Sequence, residues 1–98
     1  MRRDEVLAIL AAHRDEIRSR GAKSLSLFGP IARDEDDPDS EIDILMEIGQ
    51  RPFGMFAFVG LQLYLEEVLG RPVHLVTPNS IQQSDLRDRI LQEAIRAA

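Results

Sequence analysis

The chain has 98 residues, 44% of them hydrophobic, with no cysteine and a formal net charge of −5. These values predict a single domain over residues 1–98 and exclude a disordered chain, disulfides and thiolate metal sites. The acidic balance argues against direct nucleic-acid binding, which depends on clustered Lys and Arg. Since there is neither an apolar signal core nor a run of roughly 20 apolar residues, we expect a cytoplasmic protein without a membrane contact.

The first third of the chain predicts a helix followed by a short strand. Apolar residues spaced three and four apart favour a helix over residues 3–20, and Gly21 can end it in the left-handed conformation. Residues 24–28 are predicted to form a strand, which Gly29 and Pro30 interrupt because proline fixes φ and lacks an amide hydrogen. One helical turn and an acidic loop are expected before the next strand.

The second predicted strand, residues 41–48, begins with two carboxylates. Side chains alternate between the two faces of a strand, so Glu41 and Asp43 are expected to point the same way. Two carboxylates on a rigid strand can hold a divalent cation, which would allow a polyphosphate to approach this acidic part of the chain. An ordinary polar strand face is the alternative interpretation of the same pattern.

Residues 54–70 are predicted to form a second long helix that is apolar on more than one side. A domain of this size has little structure with which to cover such a helix. We therefore expect Phe56, Val59 and Leu63 to contact another protein chain, in a homo- or hetero-oligomer. The alternative is a central core helix with a few ordinary exposed apolar residues.

A third strand and a last helix complete the predicted order. Residues 72–76 form the strand, with His74 on the face opposite its apolar side chains, and residues 85–97 form the helix, with Ser84 as its cap. The order helix, strand, strand, helix, strand, helix predicts an α/β fold. In it, a small mixed sheet of three to four strands packs against helices.

The segment from Leu27 to Glu47 resembles the minimal nucleotidyltransferase (MNT) family of polymerase-β-like nucleotidyltransferases. The family signature is Gly-Ser, a spacer, and then Asp-x-Asp. Here Gly29 and Pro30 are followed by the ten residues 31–40 and by Glu41-Ile42-Asp43. The resemblance extends to the late strand, where the family places a third aspartate, and to the closing helix.

The resemblance implies a small α/β fold that binds Mg²⁺ and ATP. Many members of the family are antitoxins paired with a HEPN-family ribonuclease toxin, and active members transfer AMP to a tyrosine of that toxin. The implied partner is therefore a HEPN-family toxin. The implied site residues are Glu41 and Asp43 for catalysis, Gly29, Pro30 and Arg33 for phosphate binding, and Glu41, Asp43 and His74 for metal binding.

Several of these positions depart from the family pattern. Pro30 replaces serine and so removes a hydroxyl and a backbone N–H that could contact phosphate. Glu41 replaces the first aspartate with a side chain that is longer by one methylene. His74 replaces the third aspartate and removes its negative charge, and Asp34 stands where relatives often have glycine. Together these changes predict a weakened transferase. They leave open a binding module that masks the toxin without chemistry, and a site for a metal other than magnesium.

Overall fold

The computed structural model describes residues 2–35, 39–49, 53–81 and 83–98. No helix in these ranges is long and apolar enough to cross a membrane. The α/β class predicted from the sequence is confirmed by an alternation of helices and strands. In chain order they are α1 (Arg3–Ala12), α2 (Arg14–Ser19), β1 (Ala22–Leu27), α3 (Gly29–Ala32), β2 (Ile42–Ile48), α4 (Met55–Leu69), β3 (Val73–Val76), a 3-10 helix (Pro78–Ser80), α5 (Ser84–Glu93) and β4 (Ile95–Arg96).

The described strands form one mixed sheet in the order β3-β2-β1-β4. β2 pairs antiparallel with β1 and parallel with β3, and β4 pairs antiparallel with β1. Leu27 is opposite Ile44, so the glycine turn that follows β1 lies beside the start of β2. In the parallel pair, Asp43 is opposite His74. The sheet therefore brings together residues that are far apart in the sequence.

Two apolar clusters hold the helices on the sheet. The larger one joins inward-facing residues of β1 and β2 to α1, α2 and α4, and its fully buried side chains include Leu10, Ile17, Leu25, Leu27, Ile42, Ile44, Met46, Leu61 and Leu65. Burial of each such Leu or Ile contributes about 1.5–3 kcal/mol relative to exposure. The smaller cluster, Phe28, Leu45, Ile81 and Ile90, lies on the other face of β2, because Leu45 alternates with Ile44 and Met46 along the strand.

The prediction of one continuous helix over residues 3–20 is wrong, because α1 and α2 meet at His13. This residue has φ −105° and ψ 18°, outside the helical range. Its ring Nδ1 lies 2.8 Å from the carbonyl oxygen of Ile9, the same carbonyl that accepts its backbone N–H at 3.2 Å. A side chain that shares a backbone acceptor in this way disfavours a regular helix. Gly21 follows α2 with a positive φ of 108°.

The predicted last helix is also wrong at both ends. Ser84 lies inside the first turn of α5, and the preceding Gln83 occupies the cap position. At the other end, α5 stops at Glu93 and the chain turns into β4 along the outer edge of β1. The N–H groups of Ala97 and Ala98 donate to the carbonyl of Leu25 at 2.8 and 3.2 Å. These hydrogen bonds satisfy the exposed edge of β1, and this tertiary pairing overrides the helical preference of the closing residues.

Candidate functional site

Gly29 lies directly against Asp43 at the turn between β1 and α3. Its φ is +74°, a conformation that residues with a Cβ rarely adopt. A Cβ built on Gly29 would lie 2.3 Å from Oδ2 of Asp43, which is closer than two nonbonded atoms can approach. The N–H of Phe28 donates to the backbone carbonyl of Asp43 at 3.2 Å and fixes the turn against β2. Glycine at this position therefore leaves the space that the Asp43 carboxylate occupies.

Asp43 and His74 form a hydrogen-bonded pair on neighbouring strands. The parallel register of β2 and β3 sets them opposite each other, and Oδ1 of Asp43 lies 3.0 Å from Nδ1 of His74. The carboxylate side chain is 21% exposed and the imidazole 56%. With Nδ1–H donating to the carboxylate, the ring presents Nε2 as its remaining acceptor. Two of the predicted site residues are thus in direct contact.

The same pair borders two cavities of different character. One, of about 530 Å³, is lined by Asp39, Ser40 and Glu41 in addition to Asp43 and His74. The other, of about 520 Å³, is mainly apolar, and its other lining residues include Phe28, Val76, Ile81, Leu86 and Ile90. A polyphosphate that approached the first cavity would meet carboxylates, whereas the second cavity offers surface for an apolar group.

Glu41 lies one residue before β2 and is exposed. It lines the same cavity as Asp43, but it stands outside the strand that positions that residue. Within residues 2–35, 39–49, 53–81 and 83–98, no group of three His, Asp or Glu side chains is arranged to hold a metal ion. Magnesium prefers a near-octahedral set of oxygen ligands. Asp43 and Glu41 offer carboxylate oxygens of the kind magnesium binds and line one cavity, but in the described residues they are not gathered with His74 into a set of three ligands. Their assignment as metal ligands stays a prediction.

The other two residues assigned to phosphate binding lie on or next to α3. Pro30 is in the first turn of this short helix, where its missing N–H removes no helical hydrogen bond. Arg33 forms ion pairs with Glu93, through Nη1, and with Glu35, whose Oε2 lies 3.2 Å from Nε. The hydrogen bonds that Arg33 donates, foremost the one to Glu93, raise the pKa of its guanidinium. Among the described residues, those lining the two cavities do not include Arg33.

The backbone at Asp34 has the conformation that glycine adopts most readily, in agreement with the glycine that the family resemblance implies here. Its φ of +61° makes it the non-glycine residue with a positive φ in the described part of the chain.

The apolar cavity was not predicted from the sequence. Its signal was Leu45, an apolar residue on the otherwise polar face of β2, which packs with Phe28 and Ile81 beneath that cavity.

Comparison with known proteins agrees with this fold. The Nucleotidyltransferase domain family matches residues 10–97. The chain is 36% identical to the protein adenylyltransferase MntA of Thermococcus cleftensis over 93 residues, covering 94% of this chain and 92% of that protein. A solved structure of a proposed minimal nucleotidyltransferase has a TM-score of 0.83 at 29% identity, covering 97% of this chain and 95% of that one. A mutant MntA–HpeT toxin–antitoxin structure shares the fold, with a TM-score of 0.66 at 20% identity, covering 100% of this chain and 73% of that one.

The mixed sheet, the glycine turn and the carboxylate on β2 together define a nucleotidyltransferase domain. Within that class, this chain belongs to the minimal nucleotidyltransferase family.

Proposed function

We propose that this single-domain chain is a cytoplasmic MNT-type antitoxin that neutralises a HEPN-family ribonuclease toxin. In this proposal, its transfer of AMP from Mg-ATP to the toxin is weakened by its altered site. The observation that carries the proposal is the Asp43–His74 pair, which keeps one site carboxylate and supplies an imidazole beside it. Similarity to the protein adenylyltransferase MntA supports a protein as the acceptor, and similarity in fold to the MntA–HpeT toxin–antitoxin structure supports a toxin as the partner.

The geometry around Asp43 supports weakened transfer. Magnesium, when bound, would neutralise charge on the phosphates of ATP, and this role calls for carboxylates that converge on the ion. Here His74 occupies one side of Asp43 through a 3.0 Å hydrogen bond, and Glu41 approaches from outside the strand. A displacement of about 1 Å in such a group can lower a rate by roughly 100-fold. What the chain itself retains is the Gly29 space and an oriented Asp43 carboxylate.

The contact with the toxin is assigned to α4, within the predicted segment 54–70. Phe56, Val59 and Leu63 are exposed on this helix, and Leu61 and Leu65 are fully buried on its other side. An exposed apolar patch of this kind on a small domain is typical of a protein-binding surface. It supports a second candidate function, in which the chain masks the toxin by direct contact without any chemistry.

The experiment uses a HEPN-family ribonuclease from the same genome, assayed for RNA cleavage with and without this chain and Mg-ATP. Intact mass of the ribonuclease reports added AMP. We expect slow AMP addition, which Asp43→Ala abolishes, and binding that Phe56→Asp abolishes. Leu91→Asp is the matched control, because Leu91 is an exposed leucine on a different helix.

AMP transfer to the toxin and masking of the toxin by direct contact give different results with these variants. Neutralisation that survives Asp43→Ala but not Phe56→Asp supports masking alone. Neutralisation lost in Asp43→Ala, with binding intact, supports adenylyl transfer. Neutralisation unchanged in both variants, or absent in the wild-type chain, would overturn the proposed function.

A further inference from the structure

The exposed apolar residues of α4 form a single stripe. Met55, Phe56, Val59 and Leu63 are 80%, 96%, 45% and 59% exposed, respectively. At about 3.6 residues per turn they lie on one side of the helix, away from the buried Leu61, Leu65 and Leu69. A contiguous apolar patch of a few hundred Å² is near the upper limit of what monomers expose. We call these four residues the α4 stripe.

The charges at the two ends of α4 favour an antiparallel helix as the occupant of the stripe. The first turn, residues 55–58, contains no acidic residue, and Gly54 at the cap position has no side chain that could accept a hydrogen bond. Glu67 is exposed in the last turn, on the same side as the stripe. A carboxylate near a helix C-terminus is disfavoured by the helix dipole, whereas one near an N-terminus is favoured. In an identical antiparallel helix, Glu67 therefore supplies the carboxylate that the first turn lacks, and the N-terminal end of the dipole lies beside that carboxylate.

We propose that a second copy of this chain covers the α4 stripe, with the two α4 helices antiparallel about a two-fold axis. In this arrangement Val59 of each copy lies opposite Leu63 of the other, and Glu67 lies against the first turn of the other helix. Such an interface is isologous, because the same surface is used twice. At Gly60, on the margin of the stripe, the neighbour nearest to an added Cβ would be Nη1 of Arg20, at 4.0 Å, which leaves room for an approaching helix.

This inference concerns the chain alone and does not depend on the proposed function. The dimer is expected to be weak, with a Kd on the order of 10 µM, because the stripe offers only four apolar side chains per copy and both copies carry net negative charge. If both proposals hold, the second copy and the toxin compete for the same stripe. Free antitoxin would then be a dimer that the toxin separates.

The oligomeric state is the first test. Sedimentation velocity between about 1 and 200 µM is expected to show a shift from the 11.1 kDa monomer to twice that mass. Phe56→Asp is expected to raise the Kd at least about tenfold, whereas Leu91→Asp leaves it unchanged. Circular dichroism verifies that both variants are folded. A wild-type chain that stays monomeric over this range, or a Phe56→Asp variant that dimerises equally well, would overturn the proposal.

The orientation of the helices is the second test, and the absence of cysteine makes it direct. Oxidising a mixture of Val59→Cys and Leu63→Cys is expected to give a mixed disulfide several-fold faster than either variant forms one with itself. Glu67→Lys is expected to raise the Kd about two- to fivefold, because it places a positive charge near a helix N-terminus. Rapid disulfide formation by Met55→Cys with itself would instead show parallel helices and overturn the arrangement.

Discussion

Replacing Gly29 with alanine tests the packing of the glycine turn against Asp43. The φ of +74° alone costs a residue with a Cβ about 1–2 kcal/mol. The new Cβ would also lie 2.3 Å from Oδ2 of Asp43, and overpacking of this kind adds about 1–3 kcal/mol. We therefore expect Gly29→Ala to lower the free energy of unfolding by about 2–5 kcal/mol and to displace the Asp43 carboxylate.

Alanine substitutions at two other glycines distinguish the cost of the backbone conformation from the cost of the contact with Asp43. Gly70 has a φ of +71° with nothing within 4 Å of where a Cβ would lie, so Gly70→Ala should show the cost of the backbone conformation alone, about 1–2 kcal/mol. Gly54 has an extended backbone and equally open surroundings, so Gly54→Ala should change stability by less than about 1 kcal/mol. Urea unfolding followed by circular dichroism measures all three. A Gly29→Ala variant no less stable than Gly70→Ala would refute the contact with Asp43.

Two further predictions concern the smaller apolar cluster and the altered site residues. Leu45→Ala, at a residue that is 3% exposed, is expected to lower the free energy of unfolding by about 2–4 kcal/mol, whereas Leu91→Ala on the surface changes it by less than about 0.5 kcal/mol in the same urea titration. Restoring the family pattern with Pro30→Ser, Glu41→Asp and His74→Asp together is expected to raise AMP transfer to the ribonuclease at least about tenfold by intact mass. A restored variant that transfers no faster than the wild-type chain would show that these three residues do not limit the reaction.

The sequence predicted elements well where a local pattern and the tertiary structure agree. The alternation of Ile42, Ile44 and Met46 with polar residues predicted β2, and all three are fully buried. The prediction from sequence failed where pairing with a strand distant in the sequence determines the structure. In β4, residues that favour a helix form a strand because they pair with the edge of β1. The helix breaks at His13, where a ring nitrogen hydrogen-bonds to the carbonyl oxygen of Ile9. The spacing of hydrophobic residues does not predict such a hydrogen bond.

The candidate site shows the same division. The spacing from Gly29 to Asp43 predicted a turn beside a strand, and the contact between the two residues gives that spacing a steric reason. The pairing of Asp43 with His74 depends on the register of a parallel strand 31 residues further along the chain, which sequence spacing alone cannot fix. Arg33 was predicted to bind phosphate, and in the fold it forms an ion pair with Glu93 of α5.

The position of β4 has a consequence for synthesis of the chain on the ribosome. β1, residues 22–27, emerges early and gains β2 as a neighbour, but its other edge pairs with residues 95–98. Until those residues leave the exit tunnel, the nascent sheet presents an unpaired strand to every other nascent chain nearby. A product stalled or truncated before them would keep that edge open and be the form most prone to aggregate. Pairing by residues 95–98 therefore closes an edge of β1 that would otherwise be open to other strands.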